Sequence, residues 1–442
     1  MTHLILKNKK FKYLLLLISG VLIFWGLFTL LLKPSHSTYM EKAASADSFI
    51  DSIGVAVHLN YTDTPYHKNY EDIIKPRLQE LGIRHIRGGF SLKSKTSLQR
   101  TKELAKIGIK STLVMDPRRI ENPQEALKIV KEVKNAVEAV EGPNEWDLNS
   151  SLQYRGKSFP QGVKQFQQEL YKILKTDPAT TEIDIICPSV GRPYNSAKLG
   201  LLPCDFGNMH SYAGGKQPTR QLDSKWIPQA QVIAGNRSII ATECGYHNLV
   251  TKTDLNHQPG VSELAASKYL IRLFFEYFNR GIKRSYTYEM IDLKPDVEAN
   301  KPNWNYGLLR NDGSRKPDFI ALKNLMAILQ ETSQKVSQPI SLQTLQYTIT
   351  GNTKNIHHTL LQKKDGKLYL ILWQEVLSFD QMTKKNIEIQ PRKLTLTLNK
   401  SLKQARTYQP LVSTQPIKTY DSPQLLEIQV LDHPLIIELI NR

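Results

Sequence analysis

Two glutamates follow short apolar runs, where a carboxylate could act on a bound molecule. Glu145 lies in the segment 141–147 (EGPNEWD), and Glu243 ends the run 239–243 (IIATE). Most acidic side chains are solvated surface charges, but the apolar run before Glu243 predicts that it ends a buried strand. Two carboxylates facing each other across a pocket can cleave a glycosidic bond, because one protonates the leaving oxygen and the other attacks or activates water. A retaining reaction needs them about 5 to 5.5 Å apart, a distance that the sequence does not supply.

The elements that must position these glutamates alternate between β-rich runs and amphipathic helical stretches. The β-rich runs are residues 54–58, 83–87, 110–115, 136–141, 183–187, 205–210, 238–243 and 284–288. The helical stretches, with apolar residues at spacings of three and four, include 123–134, 162–175 and 262–279. Eight such repeats predict an α/β fold, a (β/α)8 TIM barrel over residues 51–333, with its active site at the carboxyl ends of the strands. Strands four and seven would bring Glu145 and Glu243 to nearly opposite sides of the barrel mouth.

Two further patterns define the fold class. An open, doubly wound sheet is the alternative to the barrel, and it is disfavoured because no Gly-x-Gly-x-x-Gly turn follows the first strand and no Walker-type loop occurs. After the barrel the pattern changes to short alternating runs, among them 367–373, 393–398 and 425–430. These runs predict a small antiparallel β-sandwich domain at residues 334–442.

The N-terminus carries a long apolar segment. Residues 13–32 are twenty residues without a charge, enough for a helix to cross the ~30 Å hydrocarbon core of a bilayer. The lysines before this segment predict a cytoplasmic N-terminus. We expect a transmembrane signal anchor within residues 1–33, a linker at 34–50 and an extracytoplasmic remainder, periplasmic or at the cell surface. The alternative is a cleaved signal peptide with a small-x-small site at 44–46, followed by secretion.

The chain is basic, but its charge is dispersed. Its 59 lysines and arginines against 41 acids give the 442 residues a formal net charge of +18. Five of these positive charges flank the apolar segment, and the others form no long basic block or zinc-finger spacing. We therefore expect no nucleic-acid partner. The C-terminal domain, with 14 basic and 8 acidic residues, predicts adhesion to an anionic glycan or membrane surface.

Cysteine usage and metal motifs add little chemistry. Cys187, Cys204 and Cys244 permit at most one disulfide and form no CxxC pair, and we expect each to be a buried small apolar residue. No HExxH motif or EF-hand loop occurs. The sequence therefore predicts no metal site and no cofactor.

The two glutamate segments resemble a known group of enzymes. Asn144-Glu145 after the fourth strand, with Glu243 ending the seventh, is similar to the pattern of the clan A glycoside hydrolases, retaining enzymes built on a (β/α)8 barrel, and most like families 39 and 5. The resemblance covers about residues 51–330. It implies that Glu145 is the acid/base and that Glu243 is the nucleophile.

Three further segments match this group. Arg87, at the end of the second strand, corresponds to an arginine that steadies the nucleophile, and His210 and Tyr212 resemble a His-x-Tyr motif whose tyrosine hydrogen-bonds the nucleophile. Residues 306–318 are similar to the segment that follows the barrel in families 5 and 39. The alternatives are an Arg87 salt bridge that closes the barrel and a core His210 bonded to backbone.

Physical chemistry gives these residues compatible roles. Arg87 beside Glu243 would lower the pKa of that carboxyl, while Glu145, in a less compensated pocket, is expected to keep its proton near neutral pH. Asn144 can donate to the sugar 2-hydroxyl, a hydrogen bond that strengthens in the transition state.

Aromatic and imidazole side chains at strand ends are candidates for substrate binding. Trp146, His58, Tyr288 and Glu289 could line sugar subsites, since aromatic rings stack on sugar faces, although packing at the barrel mouth explains them equally well. At strand eight many relatives carry a tryptophan, where this chain has 286–289 (YTYE). The sugar subsite beneath the cleaved bond is therefore not predicted.

Together these features predict a membrane-anchored retaining glycoside hydrolase that cleaves a poly- or oligosaccharide by double displacement. A non-catalytic carbohydrate-binding or envelope scaffold protein and a transglycosylase are the alternatives, because a fold alone does not fix function. The sequence predicts neither the sugar nor the oligomeric state.

Overall fold

The structure, a computed structural model, describes residues 35–90, 92–251, 258–331 and 341–441. Its strands are β1 (Ser35–Lys42), β2 (Ala44–Ser45), β3 (Ile53–Ala56), β4 (His85–Gly89), β5 (Lys110–Val114), β6 (Val137–Glu141), β7 (Asp184–Ile186), β8 (Gly207–Ser211), β9 (Ile239–Cys244), β10 (Arg284–Thr287), β11 (Thr344–Gly351), β12 (Ile356–Gln362), β13 (Leu368–Gln374), β14 (Phe379–Asp380), β15 (Lys385–Asn386), β16 (Arg392–Leu398), β17 (Gln404–Tyr408), β18 (Lys418–Asp421), β19 (Leu425–Val430) and β20 (Leu435–Ile440). Its α-helices are α1 (Ala46–Asp51), α2 (Pro65–Lys68), α3 (Lys75–Leu81), α4 (Lys95–Lys106), α5 (Pro123–Glu132), α6 (Gln161–Thr176), α7 (Ser196–Leu199), α8 (Ile227–Ala234), α9 (Glu263–Asn279) and α10 (Pro317–Leu329).

Strands β3 to β10 form one parallel sheet in the order β7-β6-β5-β4-β3-β10-β9-β8. A parallel bridge between Ile186 and Phe206 joins the two ends of this order, so the sheet closes on itself. Each of the eight predicted β-rich runs overlaps one of these strands, which confirms the barrel. Every residue of β3, β4 and β9 is buried, as expected for parallel strands covered on both faces.

The barrel interior is filled by side chains. Ala139, Ile186, Ile240 and Tyr286 form a buried apolar cluster there. Tyr286 fits because β3 carries Gly54 beside it, where a Cβ would stand 2.4 Å from the Tyr286 ring. A larger residue at Gly54 would displace the ring and the strand that carries it.

Strands β11 to β20 form most of a second domain. One sheet has the order β1-β11-β16-β19 and the other the order β18-β17-β20-β13-β12-β2. Burial alternates along β19, as expected for a strand with one face on a core. Leu370, Leu396 and Leu439 lie in the buried cluster that the sheets share, and this confirms the β-sandwich.

Helix α9 packs the sandwich against the barrel. Ser262 caps its N-terminus by accepting a hydrogen bond from the backbone N–H of Ala265. Phe275 stacks on Phe49 at 4.4 Å and on Trp373 of β13 at 5.5 Å between ring centroids. Arg272 is buried and donates to the backbone oxygens of Gln374 and Val376. The second domain is therefore in direct contact with the barrel.

Residues 34–50, for which the sequence predicts a linker, contain regular structure in their described part. Strand β1 pairs with β11 along its whole length, β2 pairs with β12, and α1 follows. Tyr39 stacks on Tyr347, and Tyr347 donates to Glu41 at 2.6 Å. The small and polar residues that suggested a linker are also compatible with a half-exposed edge strand. The local sequence does not show the pairing that forms this strand, because its partner lies about 300 residues further along the chain.

Two other expectations have different outcomes. No helix in the described ranges is long and apolar enough to cross a membrane, and the predicted anchor at 13–32 lies outside them.

The expectation that each cysteine is a buried apolar residue is wrong for Cys187 and Cys204, which form a disulfide with Cα atoms 5.2 Å apart. The barrel-closing contact between β7 and the start of β8 brings these two positions together. Cys244 is a buried free thiol.

Candidate active site

A cavity of about 680 Å³ opens at the carboxyl ends of the barrel strands. Both sequence-predicted glutamates, Glu145 and Glu243, line it. The other predicted residues on its wall are His58, Arg87, Asn144, Tyr212 and Tyr288. The rule that a barrel's active site lies at the carboxyl ends of its strands (the strand-end rule) therefore predicted the place of seven of the candidate residues, which line one pocket.

Glu243 is the more deeply held of the two carboxylates. It ends the buried run of β9, and its side chain is 10% exposed. Arg87 Nη1 donates to Glu243 Oε1 at 2.5 Å, and the Tyr212 hydroxyl donates to Oε2 at 2.8 Å. Burial alone would raise the pKa of Glu243, but the charges of His210 and Arg87 and the Tyr212 hydrogen bond outweigh burial and lower it. Glu243 is therefore an ionised and oriented carboxylate, as a nucleophile must be.

Arg87 is fixed from behind by a carboxylate that the sequence analysis did not single out. Its Nε and Nη2 atoms donate to the two oxygens of Glu141, both at 2.8 Å. Glu141 is fully buried, and Asn208 and Thr242 also donate to it. Burial raises the pKa of Glu141, but Arg87 and His210 outweigh it and lower the pKa to about 2. Glu141 ends an apolar strand run just as Glu243 does, so the same signal could have found it.

Glu145 approaches the cavity from the loop after β6. Its backbone is left-handed, with φ at 52°, and it precedes a short 3-10 turn at Trp146–Leu148. Its side chain is 23% exposed, against 10% for Glu243. His210 Nδ1 donates to Glu145 Oε1 at 2.6 Å. This loop therefore presents a carboxyl group with more access to solvent than the nucleophile candidate has, but the hydrogen bond from His210 does not fit the less compensated pocket expected for Glu145.

His210 lies behind both carboxylates rather than on the cavity wall. It is 1% exposed, its Nε2 is 3.0 Å from Thr242 Oγ1, and its Nδ1 is also 3.6 Å from Glu243 Oε2. Burial opposes its positive charge, but Glu243 and Glu145 outweigh burial and raise its pKa to about 10. His210 is therefore buried, as its core alternative predicted, but its ring contacts side chains rather than backbone and holds a positive charge between the two carboxylates.

The distance between the carboxylates is the quantity that the sequence could not supply. One carboxylate oxygen of Glu145 and one of Glu243 lie within 4.8 Å of each other, with a nitrogen of His210 inside the same limit. Carboxylates with two oxygens this close fit retaining glycosidases, whose carboxyl groups are about 5 to 5.5 Å apart, better than inverting ones, whose groups are roughly 6.5 to 9.5 Å apart.

Asn144 is held beside both catalytic candidates. Its side-chain oxygen accepts from Arg87 Nη2 at 2.5 Å, and its backbone N–H donates to Asp116 Oδ2 at 2.9 Å. Because Arg87 occupies the amide oxygen, the amide NH2 is the group offered to a sugar hydroxyl. The predicted role of Asn144 as a donor fits this orientation.

Trp146 does not line the cavity. It is 2% exposed, and its indole N–H donates to Asp116 Oδ2 at 3.1 Å. Its packing is therefore internal, and the prediction that it contacts substrate does not fit its position. Asp116, which sequence reasoning missed, lines the cavity and holds both Trp146 and Asn144. It directly follows the predicted β-rich run 110–115, so its position carried the same strand-end signal.

His58 and Tyr288 form another part of the cavity wall. His58 Nε2 is 3.1 Å from the Tyr288 hydroxyl, and the His58 ring stacks on Tyr61 at 4.3 Å. Burial, with the nearby charges of Arg87 and Arg119, lowers the pKa of His58 to about 3. His58 and Tyr288 thus offer uncharged rings to the cavity, which suits contact with a sugar ring.

One group of side chains in the described ranges has the spacing of metal ligands. Glu145, His210 and Glu243 each offer an atom within 4.8 Å of the others. Arg87 is 2.5 Å from Glu243, and the raised pKa of His210 keeps a second positive charge at the same place. Two cations beside the carboxylates disfavour a third, so the arrangement suits acid and nucleophile better than metal ligands.

Comparisons with known proteins place this site in a familiar fold. No protein-family model and no curated protein sequence matches the chain. A family 39 glycoside hydrolase from the gut symbiont Bacteroides cellulosilyticus WH2 superposes with a TM-score of 0.58 at 14% identity, over 92% of this chain and 88% of that one. A glucosidase from Croceicoccus marinus superposes with a TM-score of 0.61 at 10% identity, over 93% of this chain and all of that one. The chain has the (β/α)8 barrel fold of these glycoside hydrolases, and this confirms the resemblance to clan A at the level of the fold.

Proposed function

We propose that this protein is a retaining glycoside hydrolase that cleaves a poly- or oligosaccharide, with Glu243 as nucleophile and Glu145 as acid/base. The observation that carries the proposal is the closeness of these carboxylates, since one oxygen of each lies within 4.8 Å of the other at the cavity. Their unequal surroundings support the division of roles. Glu243 is held by Arg87 and Tyr212, and Glu145 has the more exposed side chain.

In the first step Glu243 attacks the anomeric carbon, and Glu145 gives its proton to the glycosidic oxygen. The bond between that carbon and the leaving oxygen breaks, and a covalent glycosyl-enzyme forms. Arg87 keeps Glu243 ionised before the attack, and the Tyr212 hydroxyl orients the carboxylate. Asn144 donates to the 2-hydroxyl as charge develops on the sugar ring.

In the second step Glu145, now a carboxylate, removes a proton from water, and the resulting hydroxide displaces Glu243 from the sugar. Exposure of the Glu145 side chain gives this water a path to the glycosyl-enzyme. His210 donates to Glu145 and stabilises the charge that Glu145 carries between the two steps.

The test is the stereochemistry of hydrolysis. The full-length chain is incubated with a glycan panel, and the first-formed anomer is followed by proton NMR before mutarotation. We expect net retention, and we expect Glu243→Gln to abolish turnover while glycan binding persists. Inversion, or equal turnover by Glu243→Gln, would contradict the proposal. Binding without turnover by the parent chain would favour the scaffold function.

A membrane anchor and an extracytoplasmic barrel complete the proposal. Support comes from the uncharged segment 13–32 with lysines before it, and from the Cys187–Cys204 disulfide, because disulfides persist mainly in oxidising compartments. Cell fractionation and protease treatment of spheroplasts test this. We expect the full chain in the membrane fraction and digestion of the barrel from outside. A protected, cytosolic barrel would contradict this topology.

A further inference from the structure

The cavity wall carries two arginines whose charge no described carboxylate matches. Arg87, Arg118, Arg119 and Arg192 line the cavity. Two of them are already paired, since Arg87 binds two buried glutamates and Arg118 donates to Asp116 at 2.8 Å. Within the described ranges, no carboxylate oxygen lies within 4.0 Å of the guanidinium of Arg119 or of Arg192.

Arg119 is held in place without a neutralising partner. Its backbone N–H donates to the Asp116 carbonyl at 2.8 Å, and its guanidinium carbon lies 5.6 Å from the centroid of the Tyr61 ring. The guanidinium passes over Gly89, where a Cβ would stand 3.0 Å from Arg119 Nε. The Tyr61 ring and the space left by Gly89 therefore hold the positive charge of Arg119 at the cavity wall.

Arg192 is positioned by the loop that carries Glu145. Asp147, two residues after Glu145, accepts hydrogen bonds from the backbone N–H groups of Gly191 at 2.8 Å and of Arg192 at 2.9 Å. Asn195 donates to the same carboxylate at 3.0 Å. Asp147 thus bonds the Arg192 loop to the catalytic loop through its backbone and leaves the guanidinium for other partners.

These charges have a consequence for the substrate. A negatively charged sugar beside ionised Glu243 is repelled unless the site supplies compensating positive charge. A guanidinium presents a planar fork that matches a carboxylate or a sulfate. We infer that the substrate carries an oxyanion, a uronate carboxylate or a sulfate ester, on a sugar in reach of Arg119 and Arg192. The inference rests on the proposed function of this cavity as a glycan site.

Binding measurements with matched glycans test the inference. The probes are a panel of uronate oligosaccharides, the same oligosaccharides after reduction of their carboxyl groups, and sulfated and unsulfated pairs. Affinity for the full-length chain in detergent is measured by titration calorimetry. We expect the best-bound members to be acidic and to bind about ten-fold more tightly than their neutral partners. Preference within the uronate pairs or within the sulfate pairs identifies the oxyanion.

Arginine variants locate the effect. Arg119→Gln and Arg192→Gln should each weaken the acidic ligand by about ten-fold and leave its neutral partner unchanged. Arg237→Gln is the matched control, because it removes an exposed arginine just before β9, at the other end of the barrel. The inference is overturned if no acidic member binds more tightly than its neutral partner, or if the two cavity variants behave as Arg237→Gln does.

These outcomes separate this inference from the proposed hydrolase. Turnover of neutral glycans with no preference for acidic ones overturns the inference and leaves the hydrolase in place. Charge-dependent binding that requires Arg119 and Arg192, without turnover of any panel member, supports the inference and contradicts the hydrolase.

Discussion

The two ends of the barrel carry networks built from the same residue types, yet only one of them faces a cavity. At the carboxyl end Arg87, on the cavity wall, joins Glu243 on the same wall to Glu141 buried behind it. At the amino end Arg284 donates to Glu138 at 2.8 Å and to Asp51 at 3.0 Å, and none of these three lines the cavity. Substrates of such barrels bind at the carboxyl ends of the strands, and residues at the other end contribute to stability.

The comparison is sharpest within one strand. His85 and Arg87 are two residues apart on β4, so their side chains lie on the same face. His85 is 2.8 Å from Asp51 at the amino end, while Arg87 reaches Glu243 at the carboxyl end. Residue type alone therefore does not identify a catalytic candidate. The position of the residue along its strand, at the carboxyl or the amino end of the barrel, separates the two cases. The predictions below set one end of the barrel against the other.

The largest effect is expected from Glu243→Gln. The amide cannot form the glycosyl-enzyme, so kcat/KM should fall by roughly 10,000-fold or more. The melting temperature should change little, because Arg87 keeps its two hydrogen bonds to Glu141. Steady-state kinetics and thermal melts check this. Residual activity above a hundredth of the parent value would contradict the role of Glu243.

Glu145→Gln should have a smaller effect that depends on the leaving group. Loss of the proton donor is expected to cost roughly 100- to 10,000-fold on natural glycosides. Aryl glycosides with acidic phenols need no protonation, so their first step should be nearly unaffected. Kinetics across a series of phenols measure this dependence, and a uniform loss would show that Glu145 is not the acid.

The amino-end network should respond in the opposite way. Arg284→Ala leaves the largely buried Glu138 without its arginine, and we expect the free energy of unfolding to fall by about 3 kcal/mol. Activity per folded molecule should be unchanged at low temperature. Denaturant titration and kinetics on the same sample check both parts. A large loss of kcat with normal stability would break the distinction between the two ends.

Two histidines near the cavity should titrate far apart. The pKa of His210 is raised to about 10, and that of His58 is lowered to about 3. Nitrogen-15 NMR should therefore find His210 doubly protonated at about pH 8 and His58 neutral at about pH 5. The stabilisation that His210 provides is complete below its ordinary pKa of 6.5 and is lost as the pH rises towards 10. A neutral His210 at pH 8 would contradict the charge placed between the carboxylates.

The smallest expected effect is in the number of free cysteine thiols, and the cysteines belong to neither of the two networks. Thiol titration of the unfolded chain should find one free cysteine, Cys244, without reductant and three after reduction. Three thiols in a sample kept under oxidising conditions would contradict the disulfide.

Local patterns predicted much of this molecule. Eight apolar runs separated by amphipathic stretches gave the barrel, because strands buried on both faces have a strong hydrophobic signal. The position of Glu243 at a strand end placed it at the mouth, as the barrel rule requires. Strand β1 was missed because its pairing with β11 joins residues 300 positions apart. The Cys187–Cys204 disulfide was missed because only barrel closure brings the two cysteines together.

Within the site, the sequence predicted the candidate catalytic side chains better than it predicted which side chains face the cavity. The strand-end rule found Glu145, Glu243 and Arg87, but three-dimensional packing decided that Trp146 is buried and that His210 lies behind the carboxylates. Such outcomes depend on which way each side chain points from its strand or loop, and that is decided by packing between segments far apart in the sequence.

Covalent trapping tests the central claim most directly. A panel of 2-deoxy-2-fluoro glycosides with good leaving groups allows the first step and slows the second, so the sugar stays on the nucleophile. Peptide mass mapping then locates the label on the trapped enzyme. We predict that it lies on Glu243 and that Glu243→Gln takes up no label. A label on Glu145, Glu141 or any other residue would contradict the assignment.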